Sequence, residues 1–463
     1  MEKIHFVGIG GTGTGTLATA LSASGYGISG TDGKLYEPMK SVLAGANVQL
    51  LEGYTADNLQ RVDPDVVLIG NVIRKDNPEA AAWIRSGKRF ISFPEAVRSY
   101  VIRDKTSVVC AGTHGKTTTT SWISFLFQEL GWDPSYLIGG VPADLPSGCA
   151  IRPGKYFVGE GDEYDSAFFD KGPKFLHYAP QVLVLANIEF DHADIYRDLA
   201  HVQSSFEKLV ALLPGHGLCM ARFEEKVVQA VAEGALCPVQ TFGMAEGADW
   251  RVTRVAQDPD GIVFELQFRG KSFGAFRTPL FGVHNVMNLV SGIGVAVHFG
   301  ASADKIRPIV ERFHGAKRRQ QILLRDPVTL VDDFAHHPTE VAATLQAVRD
   351  RYPQARIWAF FEPCSATARR GAHQELYPAA FKNADRVLVC IPYRANELSS
   401  GQGFSTDSLV DTLAAQGKNA QAFPDAAAMV EVFRREFQRG DVAVVMSNGE
   451  FGKIQEQLIQ AVR

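Results

Sequence analysis

The chain has 463 residues, 46% of them hydrophobic and 21% charged. This length allows about three domains of ~150 residues, each with a buried core. A net charge of −4 with interspersed signs argues against nucleic-acid binding through phosphate electrostatics. No run of eighteen apolar residues and no signal-peptide pattern is present, and the six cysteines are scattered. We therefore expect a cytoplasmic protein without membrane spans, disulfides or cysteine metal clusters.

The first predicted strand, residues 3–8, runs into a glycine-rich turn. The turn covers residues 8–15 and leads into an apolar helix through Leu21, as in dinucleotide-binding folds. A second strand at 26–30 is followed by Asp32, about where an acidic residue can bond a ribose hydroxyl. The spacing alone suits NAD, a nucleotide sugar, or merely tight packing of helix on strand.

A further strand at 66–69 belongs to the same first unit, and the polar stretch 102–106 is typical of a linker. A second unit then opens with a predicted strand at 107–111, a loop, and a helix that ends before Gly131. Free N–H groups and the positive end of the helix dipole favour an anion at such a loop. The pattern predicts that Lys116 reaches the β/γ-phosphates and that Thr117 ligates Mg²⁺.

The loop departs from the general phosphate-loop pattern at one place. That pattern puts a glycine five residues before Gly115, where this chain has Cys110. The alternative interpretation is a glycine-rich strand-to-helix turn with an accidental lysine. The agreement of strand, loop and helix favours a phosphate site.

Acidic side chains follow the next two predicted strands, 156–158 and 182–186. The segment 159–165 carries four carboxylates, and 187–192 adds Glu189, Asp191 and His192. Both segments should emerge at the sheet edge where open α/β sheets bind ligands, and carboxylates beside a phosphate suit Mg²⁺. Taken singly, a solvated acidic turn and a helix-capping Asp-His remain equally good interpretations.

Alternating residues over 238–282 predict an antiparallel excursion with a turn at 258–261, before a helix over 285–299. His284 and Asn288 open that helix, where they suit contacts to a purine edge or plain capping. A third α/β unit begins near residue 317, with predicted strands at 329–331, 357–360, 387–391 and 442–446.

Two clusters near the start of this third unit have no evident structural duty. Residues 317–319 are basic and suit either a phosphate clamp between domains or an ordinary basic linker. Residues 332–340 hold Asp332, Asp333, His336 and His337, which suit acid-base or phosphate-stabilising work. The alternative is a helix start with Pro338 in its first turn.

Taken together, these motifs resemble those of the Mur ligase family over essentially the full chain. The matching segments are 8–11, 112–117, 160–165, 187–192, 284–288, Arg319 and 332–340. The resemblance implies an α/β fold of three domains: an N-terminal Rossmann-like UDP-binding domain, a central phosphate-loop ATPase-type domain with an antiparallel excursion, and a C-terminal doubly wound domain. Residues 1–106 would bind UDP-N-acetylmuramate, 107–316 ATP and Mg²⁺, and 317–463 the incoming peptide.

The implied reaction is ATP-dependent amide ligation through an acyl phosphate. Segments 36–39, 70–71, 138–142, 162–171, 190–194 and 446–449 favour a murein tripeptide, L-alanyl-γ-D-glutamyl-meso-diaminopimelate, as the acceptor. The alternatives are ligation of L-alanine and, from another class, a non-catalytic nucleotide-binding regulator. The resemblance further implies peptidoglycan recycling, a monomer or weak homo-oligomer, and neither nucleic acid nor membrane as a partner.

Residue roles follow by motif position. The groups implied to act on the reacting atoms are Lys116, His192, Arg319, Asp333 and His337. Those implied to contact ATP are Gly112, Thr113, His114, Gly115, Lys116, Thr117, Thr118, His284, Asn288, Arg319 and Asp333. Mg²⁺ would be held by Thr117, Glu160 and His192, and the UDP moiety by Gly10, Gly11, Thr12, Gly13 and Asp32. The chain departs from the family at Cys364, where relatives typically carry arginine.

Overall fold

The computed structural model describes residues 1–35, 39–258, 260–392 and 403–463. Two predictions fall partly outside the described residues. The segment 36–39, which favours a tripeptide acceptor, is described only at Met39, and the predicted 258–261 turn is described except at Pro259. The strands group into three main sheets in chain order, which define an N-terminal, a central and a C-terminal unit. None of the described helices is long and apolar enough to cross a membrane.

The N-terminal unit is built on five parallel strands in the order β3-β2-β1-β4-β5. The strands are β1 (Lys3–Val7), β2 (Gly27–Asp32), β3 (Val48–Glu52), β4 (Val66–Ile69) and β5 (Arg89–Ser92). The helices are α1 (Thr12–Ala23), α2 (Met39–Ala44), α3 (Pro78–Arg85) and α4 (Phe93–Ala96), which continues as a π-helical turn at Val97–Ile102. Alternate residues of β1 and β4 join separate apolar clusters, so the sheet is buried on both faces.

The central unit carries a ten-stranded sheet in the order β17-β16-β15-β14-β13-β12-β6-β9-β7-β8, and β10 pairs with β11 in a separate ribbon. Its strands are β6 (Thr106–Ala111), β7 (Ser135–Leu137), β8 (Cys149–Ala150), β9 (Tyr156–Gly161), β10 (Asp165–Ala167), β11 (Asp170–Pro173), β12 (Val182–Leu185), β13 (Leu218–Arg222), β14 (Val239–Gly243), β15 (Trp250–Asp258), β16 (Gly261–Phe268) and β17 (Lys271–Thr278). Its helices are α5 (Lys116–Glu129), α6 (Leu199–Val210), α7 (Lys226–Ala232), α8 (Val283–His298) and α9 (Ala303–Val310).

The predicted antiparallel excursion is confirmed for β15, β16 and β17. Its predicted start at residue 238 is wrong, because β14 pairs in parallel with both β13 and β15. The three antiparallel strands therefore extend the edge of the parallel sheet and do not form a separate layer.

The C-terminal unit has six strands in the order β18-β19-β23-β20-β21-β22, all parallel except the edge strand β18. They are β18 (Gln321–Leu324), β19 (Thr329–Asp333), β20 (Ile357–Phe361), β21 (Arg386–Cys390), β22 (Asn419–Phe423) and β23 (Val442–Met446). The helices are α10 (Pro338–Arg351), α11 (Ala366–Arg369), α12 (Tyr377–Ala380), α13 (Thr406–Ala415), α14 (Ala426–Glu436) and α15 (Ile454–Ala461). Two apolar clusters cover opposite faces, as in doubly wound folds. Short 3-10 turns lie at Ala56–Gln60, Lys174–Tyr178, Gln374–Leu376 and Phe451–Lys453.

The strand order of the central sheet positions the site. β12, β6 and β9 are adjacent and parallel, so the loops after them meet at one sheet edge. α8 packs beside α5, and the indole N–H of Trp122 donates to the carbonyl of Leu289 at 3.0 Å. The start of α8 therefore lies next to the loop that precedes α5.

Candidate active site

Two glycines shape the loop between β6 and α5. Gly112 has φ 142° and Gly115 has φ 79°, backbone conformations that side chains rarely tolerate. A Cβ at Gly112 would stand 2.9 Å from the carbonyl oxygen of Asn187, and one at Gly115 would stand 2.9 Å from Oδ1 of Asn288. The loop is thus closely packed between the segment after β12 and the start of α8.

Lys116 is the first residue of α5 and folds back over the loop. Its Nζ donates to the carbonyls of Gly112 and Thr113, at 2.7 and 3.1 Å, and to Oε1 of Glu163 at 2.9 Å. Burial opposes the charge, but Glu163 more than offsets it and raises the pKa of Lys116. The ammonium is therefore held charged over the loop.

An oxygen-rich pocket adjoins this lysine. The hydroxyl of Thr117 donates to Oε1 of Glu160 at 3.0 Å, and the amide of Gly139 donates to Oε2 at 2.7 Å. Burial raises the pKa of Glu160. His192 Nε2 lies 2.9 Å from Oε1 of Glu163, the oxygen that also accepts from Lys116. A hydroxyl and a carboxylate beside a phosphate loop fit Mg²⁺, and the structure brings His192 near them through Glu163.

The other two carboxylates of the 159–165 segment have protein partners. Asp162 pairs with Lys174 at 2.6 Å and Asp165 pairs with Lys171 at 2.8 Å. Glu163 pairs with Lys116 and His192, which leaves Glu160 with a hydroxyl and an amide as its described hydrogen-bond partners.

A cavity between the central and C-terminal units receives most of the residues expected to contact ATP. Among those predicted, its wall includes His114, Gly115, Thr118, His284, Asn288, Arg319 and Asp333. The remaining predicted contacts, Gly112, Thr113, Lys116 and Thr117, form the adjoining loop and helix start. The structure thus assembles one site from segments more than two hundred residues apart in sequence.

Hydrogen bonds hold the wall of this cavity that contains Asn285 and Asn288. Asn288 donates to Oδ1 of Asn285 at 3.3 Å, and Asn285 donates to Oε1 of Gln320 at 2.9 Å. Asp333 accepts from the backbone amides of Gln320 and Ala335, at 2.9 and 2.7 Å. Burial raises the pKa of Asp333 to about 6. These bonds join α8 to β19 and the strand junction before it.

Arg319 reaches the central unit from that junction. Its Nη2 lies 3.5 Å from Oγ1 of Thr117, and its guanidinium stacks over the ring of Phe334 at 4.8 Å. The stacking holds a permanent cation beside Thr117, at the start of α5.

A cluster of histidines and carboxylates crosses the same junction. His114 Nε2 lies 2.8 Å from Glu189, and its Nδ1 lies 3.1 Å from Glu340 of α10. Burial opposes the charged ring, but Glu340 and Glu189 raise the pKa of His114 to about 10. His337 Nδ1 lies 3.3 Å from Glu189, and burial together with the charge on His114 lowers the pKa of His337 to about 4.

The predicted UDP-binding residues lie apart, at the carboxyl edge of the N-terminal sheet. Gly11, Thr12 and Gly13 are exposed at the start of α1. Asp32 accepts from the amides of Gly10 and Gly33, at 2.6 and 2.8 Å, and from the hydroxyl of Tyr54 at 3.0 Å. This carboxylate therefore already holds the glycine loop in place.

Several groups in the site were not among the predicted residues. Glu163 holds both Lys116 and His192, and Glu189 and Glu340 hold His114. One sequence signal existed for Glu340: it stands three residues after His337, the spacing of the capping box that opens α10.

The whole chain matches known sequence families. The profile of the Mur ligase family catalytic domain matches residues 3–104, that of the Mur ligase middle domain 110–296, and that of the Mur ligase glutamate ligase domain 318–449. The UDP-N-acetylmuramate–L-alanyl-γ-D-glutamyl-meso-2,6-diaminoheptandioate ligase of Escherichia coli K12 is 34% identical over 469 residues, covering 99% of this chain and 98% of the relative. The chain belongs to the Mur ligase family.

Other relatives of this Mur ligase carry two different names. The UDP-N-acetylmuramate–L-alanine ligase of Caldanaerobacter subterraneus is 29% identical over 464 residues, covering 99% of this chain and 97% of the relative. The crystal structure of a murein peptide ligase from Psychrobacter arcticus 273-4 is 29% identical, covers 100% of this chain and 99% of that chain, and has a TM-score of 0.73. Family membership makes this Mur ligase an ATP-dependent ligase and confirms the predicted α/β fold of three domains.

Proposed function

We propose that this Mur ligase joins UDP-N-acetylmuramate to the tripeptide L-alanyl-γ-D-glutamyl-meso-diaminopimelate, in peptidoglycan recycling. The observation that carries the proposal is the full-length similarity to the Escherichia coli ligase named for that substrate pair. The loop, the oxygen pocket and the cavity between units supply the groups that such a reaction needs.

In this proposal, each of the three domains binds a different reactant. Residues 1–106 bind UDP-N-acetylmuramate, 107–316 bind ATP and Mg²⁺, and 317–463 bind the tripeptide. For the first domain, support comes from the exposed N-terminus of α1, whose free amides favour a diphosphate. Gly10, Gly11, Thr12 and Gly13 contact the UDP moiety there, and Asp32 fixes their loop.

The nucleotide lies in the cavity between the central and C-terminal units. The adenine faces His284 and Asn288, and the phosphates face the loop 112–118. Lys116 and Arg319 lie on the phosphate side, where two cations stabilise charge on the transferring γ-phosphoryl group. Asp333 holds the Gln320 amide and so orients the strand junction that carries Arg319.

Thr117, Glu160 and His192 are the residues that would hold Mg²⁺. The metal supplies positive charge that offsets the phosphate oxygens. A carboxylate is a poor electrophile at neutral pH, so the γ-phosphoryl group of ATP first passes to the muramoyl carboxylate, which gives an acyl phosphate and ADP. The tripeptide amine then attacks the acyl carbon, phosphate leaves, and an amide forms. His337, beside the loop at the start of α10, contacts the reacting phosphate or carboxylate.

We infer a cytoplasmic setting and a monomer or weak homo-oligomer. All six cysteines are unpaired, and five of them are buried. Free thiols in this number suit a reducing compartment.

Ligation of L-alanine is the second candidate, favoured by the alanine ligases that also match over the full chain. Acceptor choice separates the two. With ATP, Mg²⁺ and UDP-N-acetylmuramate, we expect rapid phosphate release with the tripeptide and far less with L-alanine. The reverse preference would overturn the tripeptide assignment.

The Lys116→Ala variant serves as the control for catalysis at the loop and should lose phosphate release with either acceptor. ATP binding by the wild-type protein without product from any acceptor would instead support the non-catalytic regulator.

A further inference from the structure

Three side chains meet at the junction between the central and C-terminal units in an arrangement that suits a transition metal. They are His114 of the phosphate loop, Glu189 of the segment after β12, and His337 before α10. One ligand atom from each lies within 4.8 Å of the others. We propose that these three residues form a second metal site, selective for Zn²⁺ and separate from the oxygen pocket at Thr117 and Glu160.

The distances fit tetrahedral coordination. Oε2 of Glu189 lies 2.8 Å from Nε2 of His114 and 3.3 Å from Nδ1 of His337. Two ligand atoms about 2.1 Å from a tetrahedral ion stand about 3.4 Å apart, so small side-chain shifts admit the ion. Two imidazoles and one carboxylate are a common zinc set that leaves a fourth position open. Since His114 and Glu189 also line the nucleotide cavity, that position faces a water or a phosphate oxygen.

A metal-bound histidine usually has a hydrogen-bond partner on its other ring nitrogen, and His114 has one. Nδ1 of His114 lies 3.1 Å from the carboxylate of Glu340, a carboxylate–histidine–metal arrangement that fixes the ring and strengthens it as a ligand. The carboxylates of Glu189 and Glu340 are the two acidic groups that contact His114 here.

His337 also carries an unsatisfied polar atom. Nε2 of His337 is buried without a hydrogen-bond partner, and the residue is only 5% exposed. Buried polar atoms in native proteins nearly always have partners. The ring lies 4.6 Å, centroid to centroid, from both His114 and His373. Coordination through Nδ1 would replace the hydrogen bond that this atom accepts from the Thr339 amide at 3.3 Å.

The site would join two parts of the molecule. His114 and Glu189 belong to the central unit, while His337 and Glu340 belong to the C-terminal unit. A bound Zn²⁺ therefore cross-links the phosphate loop to α10 and holds the two units together. Because Mg²⁺ prefers oxygen ligands, excess Mg²⁺ should not displace it.

Co²⁺ provides the test, since a tetrahedral site with imidazole ligands gives strong visible absorption and an all-oxygen octahedral site gives little. The full-length protein, in excess Mg²⁺, should bind one Co²⁺ with tetrahedral absorption that one equivalent of Zn²⁺ abolishes. Glu189→Gln and His337→Ala should each weaken binding by at least about tenfold, and Glu340→Gln by a similar factor.

The matched control is His314→Ala, which removes another histidine–carboxylate pair, 2.7 Å from Asp144 and outside the cluster. It should bind Co²⁺ as the wild type does. Glu189→Gln nearly preserves side-chain shape, so a thermal unfolding midpoint close to that of the wild type would show that its lost binding is not misfolding. Unchanged Co²⁺ spectra in both Glu189→Gln and His337→Ala, or loss of the signal in His314→Ala, would overturn the proposal.

Discussion

His284 lies in the wall of the cavity between the central and C-terminal units as a neutral imidazole. Burial lowers its pKa to about 4, against which Glu340 and a hydrogen bond to Gln320 act only in part. The ring is therefore uncharged at neutral pH, and it can bond a purine edge without the desolvation penalty of a cation. The same burial makes the stability of the fold depend on whether the His284 ring is protonated.

We predict that the His284→Asn variant loses less stability than the wild type when the pH is lowered. The folded-state pKa of about 4 lies below the ordinary value of 6.5, so the unfolded chain binds the proton first. The stability that wild type derives from the neutral ring is therefore present above pH 6.5 and declines as the pH falls towards 4.

Between about pH 7.5 and pH 5 this contribution should fall by no more than about 2 kcal/mol. Thermal unfolding midpoints of wild type and variant at both pH values provide the measurement, with wild type losing more on acidification. Midpoints that fall in parallel would show that the ring does not titrate as described.

Some residues of the candidate site could be recognised from the sequence, and others could not. The sequence could place Lys116, Thr117 and Glu160 together, because the first two stand in the motif between β6 and α5 and Glu160 lies at the end of β9. Glu189 and Glu340 were not assigned roles, since their importance comes from pairing with His114 across 75 and 226 positions. A pairing over such a distance depends on how two sheets are oriented, which no local pattern encodes.

At the scale of the element, α5 has a glycine at each end in the left-handed region. Gly115 precedes the helix with φ 79°, and Gly131 follows it with φ 76°. A Cβ at Gly131 would meet nothing within 4 Å, whereas one at Gly115 would stand 2.9 Å from Oδ1 of Asn288. The two positions carry the same backbone strain but only one lies in the site.

We therefore predict different outcomes for Gly115→Ala and Gly131→Ala. Each should destabilise the fold by about 1–2 kcal/mol through the left-handed backbone. Only Gly115→Ala should also weaken ATP binding, by about tenfold or more, because it distorts the loop against Asn288. Calorimetric titration with ATP is the measurement, and equal affinities in the two variants would contradict the assigned role of the loop.

Strands were predictable where apolar residues run together, as in β4, β9, β12 and β23. β18 and β22 lie at sheet edges, have few fully buried residues, and were not predicted. The sequence pattern of an edge strand is weak because water replaces a neighbour on one side. The parallel pairing of β14 was likewise invisible, since pairing direction depends on the strand's partner.

At the scale of the whole molecule, the C-terminal unit forms hydrogen bonds with the segment 189–193 after β12. The backbone amide of Ala193 donates to Oγ1 of Thr367 at 3.1 Å, and the hydroxyl of Thr339 donates to Glu189 at 3.1 Å. His373 Nε2 lies 2.8 Å from the carbonyl of Phe190. The segment that carries His192 is thus bound by both units. We expect these contacts to couple closure of the units to assembly of the site.

The Thr367→Val variant tests this coupling, because valine keeps the shape of the buried threonine and removes the hydroxyl that accepts from Ala193 and also bonds the Asp191 side chain. Loss of two such bonds is worth about 1–3 kcal/mol, so the KM for ATP should rise about 5-fold or more. Thr412→Val is the matched control, since its hydroxyl bonds only within α13, to Ser408 at 2.8 Å. Small-angle scattering with a non-hydrolysable ATP analogue should show a larger radius of gyration for Thr367→Val than for Thr412→Val. If the two variants share one KM and one radius, closure does not depend on these hydrogen bonds, and the site is assembled by the nucleotide alone.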